Sequence, residues 1–142
     1  MIVLDTTVLV YAVGGEHPLA EPARRLISSV EGRRIRATTT PEVVQEFVHV
    51  RARRRPRADA ADLGRAFATL LSPLISPDED DLRLGLELFR ASGSLGAFDG
   101  VLAATAVRRG AEGLVSADAA FGDVAELRHI WLAESPEALG VP

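Results

Sequence analysis

Ile2-Val3-Leu4-Asp5-Thr6-Thr7-Val8-Leu9 decides how the rest of the chain is read. Three apolar residues, two of them β-branched, form a short buried strand. The run stops abruptly at an acid followed by two hydroxyl residues. Asp5-Thr6-Thr7 is therefore a strand end passing directly into a helix start, and Val8 to Val13 supply the first helical turns until Gly14-Gly15 breaks them. A strand that flows straight into a helix is the opening unit of an α/β fold. The same alternation recurs downstream. Leu19 to Val30 is apolar at helical spacing (Leu19, Ala23, Leu26, Ile27, Val30) and is stopped at Glu31-Gly32-Arg33. Ile35 to Thr39 is short and β-branched, a second strand. Thr40-Pro41 is a hydroxyl N-cap with Pro at the first helical position, predicting a helix to about Arg54. Ala58 to Leu71 is another helix. Leu74-Ile75, between Pro73 and Pro77, is extended. Ser76-Pro77-Asp78-Glu79 opens a helix to about Ala91, with acids in its first turn as the dipole prefers. Ser94 to Arg109 is an Ala-rich helix, Leu114-Val115 a third strand, and His129-Ile130-Trp131-Leu132 the last.

Short apolar strands alternating with helices predict a parallel sheet covered by helices on both faces. In such folds the ligand crevice lies beyond the carboxyl ends of the strands. With 142 residues and neither repeat nor linker, one domain over 1–142 is expected. The core should be aliphatic, since 47% of residues are hydrophobic and only 5% aromatic. No cysteine is present, which rules out disulfides and thiolate metal sites and suits a reducing cytoplasm. No apolar run is long enough for a membrane span, and Met1 to Leu4 is too short for a signal peptide. The net charge is −4, and all 16 basic residues are arginine. Without lysine, a phosphate-loop nucleotidase, a dehalogenase-type phosphatase or a Schiff-base enzyme lacks its essential amine.

Four acids stand where a crevice would be. Asp5 ends the first strand, although Asp is also a common helix N-cap. Asp118 lies just past the third, where turn chemistry would equally use an Asp. Asp99 is the most telling. On a helix of 3.6 residues per turn it shares a face with Leu95, Phe98, Leu102, Ala103 and Ala106. A carboxylate on an apolar stripe needs a cation or good hydrogen bonds, so the competing role is a salt bridge to a nearby Arg. Glu46 flanks the stripe Val43, Val44, Phe47, Val48 and Val50 and can reach inward. Glu42, in the first turn, serves the helix dipole, and Asp123 is read as structural. Two carboxylates ~5 Å apart repel by roughly 3 kcal/mol at an effective dielectric of ~20. Several together raise their pKa values or recruit a cation. All-oxygen ligation favours Mg²⁺ or Mn²⁺ over zinc, and His17, His49 and His129 have no metal-ligand spacing.

Arg51-Ala52-Arg53-Arg54-Arg55-Pro56-Arg57 carries five positive charges in seven residues. Arg51, Arg53, Arg54 and Arg55 are candidates for contact with a phosphate-bearing partner. The competing roles are a solvated helix end or pairing with the acidic run Asp78-Glu79-Asp80-Asp81.

The ordered set resembles the PIN-domain nucleases and, within them, the VapC-type toxins of bacterial type II toxin–antitoxin systems. Ile2 to Leu9 looks like the opening strand with its first acid. Thr38-Thr39-Thr40-Pro41-Glu42-Val43-Val44-Gln45-Glu46-Phe47 looks like the segment bearing the second acid, Glu46. Asp99-Gly100-Val101-Leu102-Ala103-Ala104-Thr105-Ala106 resembles the third-acid helix, and Leu114-Val115-Ser116-Ala117-Asp118-Ala119-Ala120-Phe121 the strand and fourth acid. Thr7 stands where the family usually has Asn or Ser, and Ser116 replaces the commoner Thr; both are expected to act as polar helpers. The resemblance implies a three-layer PIN-like α/β fold and a Mg²⁺ (or Mn²⁺) site with Asp5, Asp99 and Asp118 as ligands. It implies that Asp5, Glu46, Asp99 and Asp118 carry out cleavage of RNA, that the protein is a homodimer, and that a cognate antitoxin inserts a segment near the acidic site. Two rival readings are an α/β phosphatase with Asp5 as phospho-acceptor, which lacks its second Asp and its Lys, and a non-catalytic PIN-like scaffold that binds RNA or protein.

Overall fold

A computed structural model describes residues 1–142. Its strands are β1 (Ile2–Leu4), β2 (Ala37–Thr38), β3 (Gly113–Ser116) and β4 (His129–Trp131). All neighbours pair parallel, in the order β2-β1-β3-β4. Seven α-helices flank them: α1 (Thr6–Val13), α2 (Ala20–Glu31), α3 (Pro41–Arg51), α4 (Arg57–Leu70), α5 (Glu79–Ala91), α6 (Ala97–Arg108) and the single-turn α7 (Ser135–Ala138). The order explains where the crevice opens. From β1 the chain crosses to β2 on one side, then returns past β1 to β3 and on to β4. Right-handed crossovers put connections that run in opposite directions on opposite faces of the sheet. The direction reverses between β1 and β3, so that gap is the topological switch point. The register Leu4↔Val115 brings Asp5 and Ser116 side by side at its carboxyl edge.

Burial on both faces follows from this layering. Every residue of β1 and β3 is buried, as strands covered on both faces require. One core of 25 buried residues joins them to Val8, Leu9, Leu26, Phe47, Phe67 and Phe121.

Most predicted boundaries hold, and the departures have physical causes. The second strand shrinks from Ile35–Thr39 to two residues: the Ile35 N–H is taken by the Ser29 carbonyl of α2, the Thr39 carbonyl accepts the Ile75 N–H, and Thr40 already caps α3 through the Val43 N–H. That helix ends at Arg51 rather than about Arg54. The Arg51 guanidinium there binds Asp59 at 2.7 Å and the Val13 carbonyl at 3.2 Å, tying the helix end to α4 and α1. The acidic run does not meet the Arg51–Arg57 stretch. Asp78 and Asp81 form the capping box of α5, and Asp81, fully buried, is gripped by Arg108 at 2.6 Å and Arg109 at 2.8 Å from the end of α6. Burial pushes the Asp81 carboxyl up, but the Asp78 N–H and the two arginines outweigh it and hold the pKa below the usual value. Phe98, expected on the inner face of its helix, is 85% exposed. The helix begins only at Ala97, and Phe98 is rotated about 100° from Asp99. Leu95 is buried, but from the preceding loop.

Candidate active site

Asp5 is 4% exposed and caps α1. The Thr7 N–H (3.4 Å), the Thr7 hydroxyl (2.9 Å) and the Ser116 hydroxyl (2.7 Å) all donate to its Oδ2. The capping role and the site role are thus carried by different oxygens: Oδ2 is saturated by the protein while Oδ1 is left without a donor. The two expected helpers do more than touch Asp5. The Thr7 hydroxyl accepts the Ala117 N–H at 3.0 Å, and the Ser116 hydroxyl accepts the Asp118 N–H at 2.9 Å. They bind the end of β1 to the loop after β3 that carries the fourth acid.

Asp118 is exposed at the head of a 3-10 turn (Ala119–Asp123) and accepts the Ala120 N–H at 2.9 Å, so it has the turn role as well as a place in the cleft. Glu46 lies on the exposed side of α3 and reaches the cleft through a contact that sequence reasoning missed. The buried Thr6 hydroxyl donates to its Oε2 at 2.8 Å. The signal was present in the doubled threonine after Asp5: consecutive residues at a helix start point roughly 100° apart, so each can serve a different acid. Within α3 only Val43 and Phe47 of the expected stripe are buried. Val44, Val48 and Val50 are half-buried, and Val50 joins the cleft.

Asp99 lies in the first turn of α6, half-buried, and forms no salt bridge; the Arg108 and Arg109 pairs are taken by α5. Its carboxyl is pushed up to about 7, chiefly by burial and then by the charges of Asp5, Asp118 and Glu46. Burial and the charges of these neighbours act together within one cleft of about 230 Å³ lined by Asp5, Thr6, Thr7, Val10, Tyr11, Glu46, Val50, Asp99 and Asp118. No three of the acids stand at a common ligating distance; they ring the cleft. The donor set is carboxylate and hydroxyl oxygen throughout, which fits a hard divalent ion rather than zinc.

The remaining sequence candidates fall elsewhere. Asp123 accepts the Ser92 and Ser94 hydroxyls at 2.9 and 2.7 Å, which hold its carboxyl below the usual range, a structural role. Arg51 is committed to Asp59, whereas Arg53, Arg54 and Arg55 are exposed and form no ion pair. His17 stacks on Tyr11, His129 packs beside Phe121 and Trp131, and His49 is exposed.

A parallel sheet with four acids at its switch point defines a class, and the chain belongs to the PIN-domain family, whose model matches residues 2–127. Within that family it stands with the VapC-type proteins. It is 54% identical to "Ribonuclease VapC7" of Mycobacterium tuberculosis over 142 residues, 99% of this chain and 95% of the relative. A shorter match, 41% identical over 49 residues, is to "Ribonuclease VapC23" of the same organism. Two solved structures share the fold. "Structure of FitAB bound to IR36 DNA fragment" has a TM-score of 0.74 at 17% identity, covering 94% of this chain and 96% of that one. "Crystal structure of VapBC2 from Rickettsia felis bound to a DNA fragment from their promoter" has a TM-score of 0.70 at 18% identity, covering 92% and 98%.

Proposed function

We propose that residues 1–142 form one Mg²⁺-dependent (or Mn²⁺-dependent) endoribonuclease domain, the toxin of a toxin–antitoxin pair acting in the cytoplasm. The carrying observation is Asp99: a carboxyl with no cationic partner, raised to about 7 by burial and by three other acids of the same cleft. Such a group asks for a counter-charge. Asp5, Asp99 and Asp118 would hold the ion, with Glu46 completing or orienting the site through water. When bound, the ion supplies counter-charge and Lewis acidity for a phosphodiester. The protein's own part is preorganisation. Thr7 and Ser116 fix Asp5 through Oδ2 and leave Oδ1 to the cleft. Thr6 fixes Glu46 through Oε2. Asp99, raised by burial and by its acidic neighbours, would ionise once a counter-charge was present, and Asp118, exposed at the head of its turn, would complete the acidic set. The identity to a protein named a ribonuclease over nearly the whole chain supports the reaction. Arg53, Arg54 and Arg55 are left free to meet RNA phosphates, offsetting the acidic cleft.

Two surfaces suit the partners that the family implies. The apolar stripe Leu82, Leu86 and Phe89 on α5 is 46–47% exposed and is the proposed homodimer contact. The groove between α1, α2 and α4, lined by Val13, Ile27, Leu63, Phe67 and Leu70, has a volume of about 380 Å³ and suits an apolar antitoxin segment.

The test is RNA cleavage in Mg²⁺ and in EDTA by the wild type and Asp99→Asn. Cleavage is expected only from the wild type with Mg²⁺. Equal cleavage by both proteins would overturn the assignment in favour of a non-catalytic scaffold carrying a contaminant.

A further inference from the structure

The acids line only part of the cleft. Beyond the acids and the two threonines that hold them, its wall is Val10, Tyr11 and Val50. Tyr11, the single tyrosine of the chain, is half-buried and packed against the core. Its ring stacks on His17 with centroids 4.5 Å apart and planes inclined by 28°. The imidazole is itself held, since its Nδ1 accepts the Leu19 N–H at 3.1 Å. Tyr11, with the exposed His17 stacked on it, presents an aromatic surface beside four carboxylates, in a chain with only 5% aromatic residues.

A nucleotide has two unlike halves. The acidic side addresses the phosphate, and then only through a cation. It offers nothing to the flat, weakly polar base, and the basic stretch after α3 carries no aromatic that could stack on one. Aromatic side chains meet that need, because every base has a π-face and stacking tolerates any sequence.

We propose that Tyr11, braced by His17, is the nucleobase-binding wall of the site. A base of single-stranded RNA next to the cleaved phosphate lies against the Tyr11 ring, with Val10 and Val50 completing an apolar lining. This inference rests on the ribonuclease reading above. The wall positions RNA rather than choosing its sequence, because stacking discriminates weakly between bases. Selection of a particular target then belongs to other contacts.

The experiment measures KM and kcat on a single-stranded RNA oligonucleotide that the wild type cuts, for Tyr11→Leu and Tyr11→Phe, with melting curves for each. Tyr11→Leu should raise KM about tenfold, the scale of one lost base stack, and leave kcat within about threefold. Tyr11→Phe keeps the ring and should match the wild type. A wild-type KM for Tyr11→Leu overturns the proposal, as does an equal loss in Tyr11→Phe, which would assign the effect to the hydroxyl. Should Tyr11→Leu fail to fold, the Tyr11→Trp, Trp131→Phe double variant gives a single indole at the wall. Quenching of its emission by the same oligonucleotide supports the proposal, and unchanged emission at saturating RNA sinks it. Failure of the wild type to cut any RNA with Mg²⁺ would defeat the ribonuclease reading itself, a result distinct from these.

Discussion

Asp99 illustrates how one side chain can be unfavourable for folding and essential for chemistry. Its pKa of about 7 in the folded chain lies above the ordinary value of 3.8. The folded state therefore binds this proton more tightly than the unfolded state does. The associated stability is complete below about pH 4 and is lost as pH rises through about 7. Asparagine imitates the protonated acid at every pH. In EDTA, the melting temperatures of the wild type and Asp99→Asn should lie close together at pH 4, and Asp99→Asn should melt several degrees higher at pH 8. The difference between the two proteins cancels the opposite pH dependence of the depressed acids, Asp81 among them. A gap of one size at both pH values would show that Asp99 is not titrating against its neighbours. A large loss of stability in Asp99→Asn would point to a salt bridge that the structure does not contain. Most of the candidate site was legible at this scale because acids at strand ends and on apolar stripes violate ordinary burial. Thr6 was not legible in the same way. A hydroxyl at a helix start satisfies every local rule, and its partner Glu46 is 40 positions away.

At the level of elements, the placement of Asp99 depends on how closely α5 and α6 approach. Gly85 on α5 and Gly100 on α6 make that approach. A Cβ on Gly85 would stand 2.6 Å from the Val101 Cα, and one on Gly100 would stand 2.6 Å from the Gly85 carbonyl oxygen. Both obstacles are backbone and cannot rotate away. Gly85→Ala gains up to about 1 kcal/mol of helix propensity but suffers overpacking of typically 1–3 kcal/mol, and with backbone on the other side the second effect wins. We expect a net loss of about 1–2 kcal/mol, a melting temperature lower by about 3–8 °C, and weaker cleavage as Asp99 shifts. Gly15→Ala, with nothing within 4 Å of its Cβ, is the control. A Gly85→Ala protein as stable as the wild type would mean that the two helices can separate freely. Elements were well read from sequence where caps and breakers are local, as at Thr40-Pro41, Asp78 and Gly14. They were misread where a distant contact decides. The end of α3 is set by Asp59 and Val13, and the acidic run on α5 found its arginines on α6 rather than after α3.

On the scale of the whole molecule, the site and the uncovered surfaces belong to one architecture. The parallel sheet puts every chemical group at one edge, which leaves the outer helices free to carry contacts. Leu82, Leu86 and Phe89 recur at helical spacing on α5, each nearly half-exposed, and Phe98 at the start of α6 is almost fully so. Periodicity could place these residues on one stripe, but it could not say that the stripe faces outward, because a second copy and a core satisfy the same pattern. Three large apolar side chains exposed at one helical spacing suit a protein interface. The proposed homodimer therefore predicts that the wild type sediments as a dimer at micromolar concentration and that Leu86→Asp sediments as a monomer. A carboxylate in the centre of an apolar contact is left desolvated and unpaired, whereas in the isolated chain the same side chain points to water. Far-ultraviolet circular dichroism and the Mg²⁺-dependent hydrolysis of a short RNA should accordingly survive the substitution, because Leu86 does not line the cleft. A wild type that sediments as a monomer, or a Leu86→Asp protein that remains a dimer, would remove α5 from the interface.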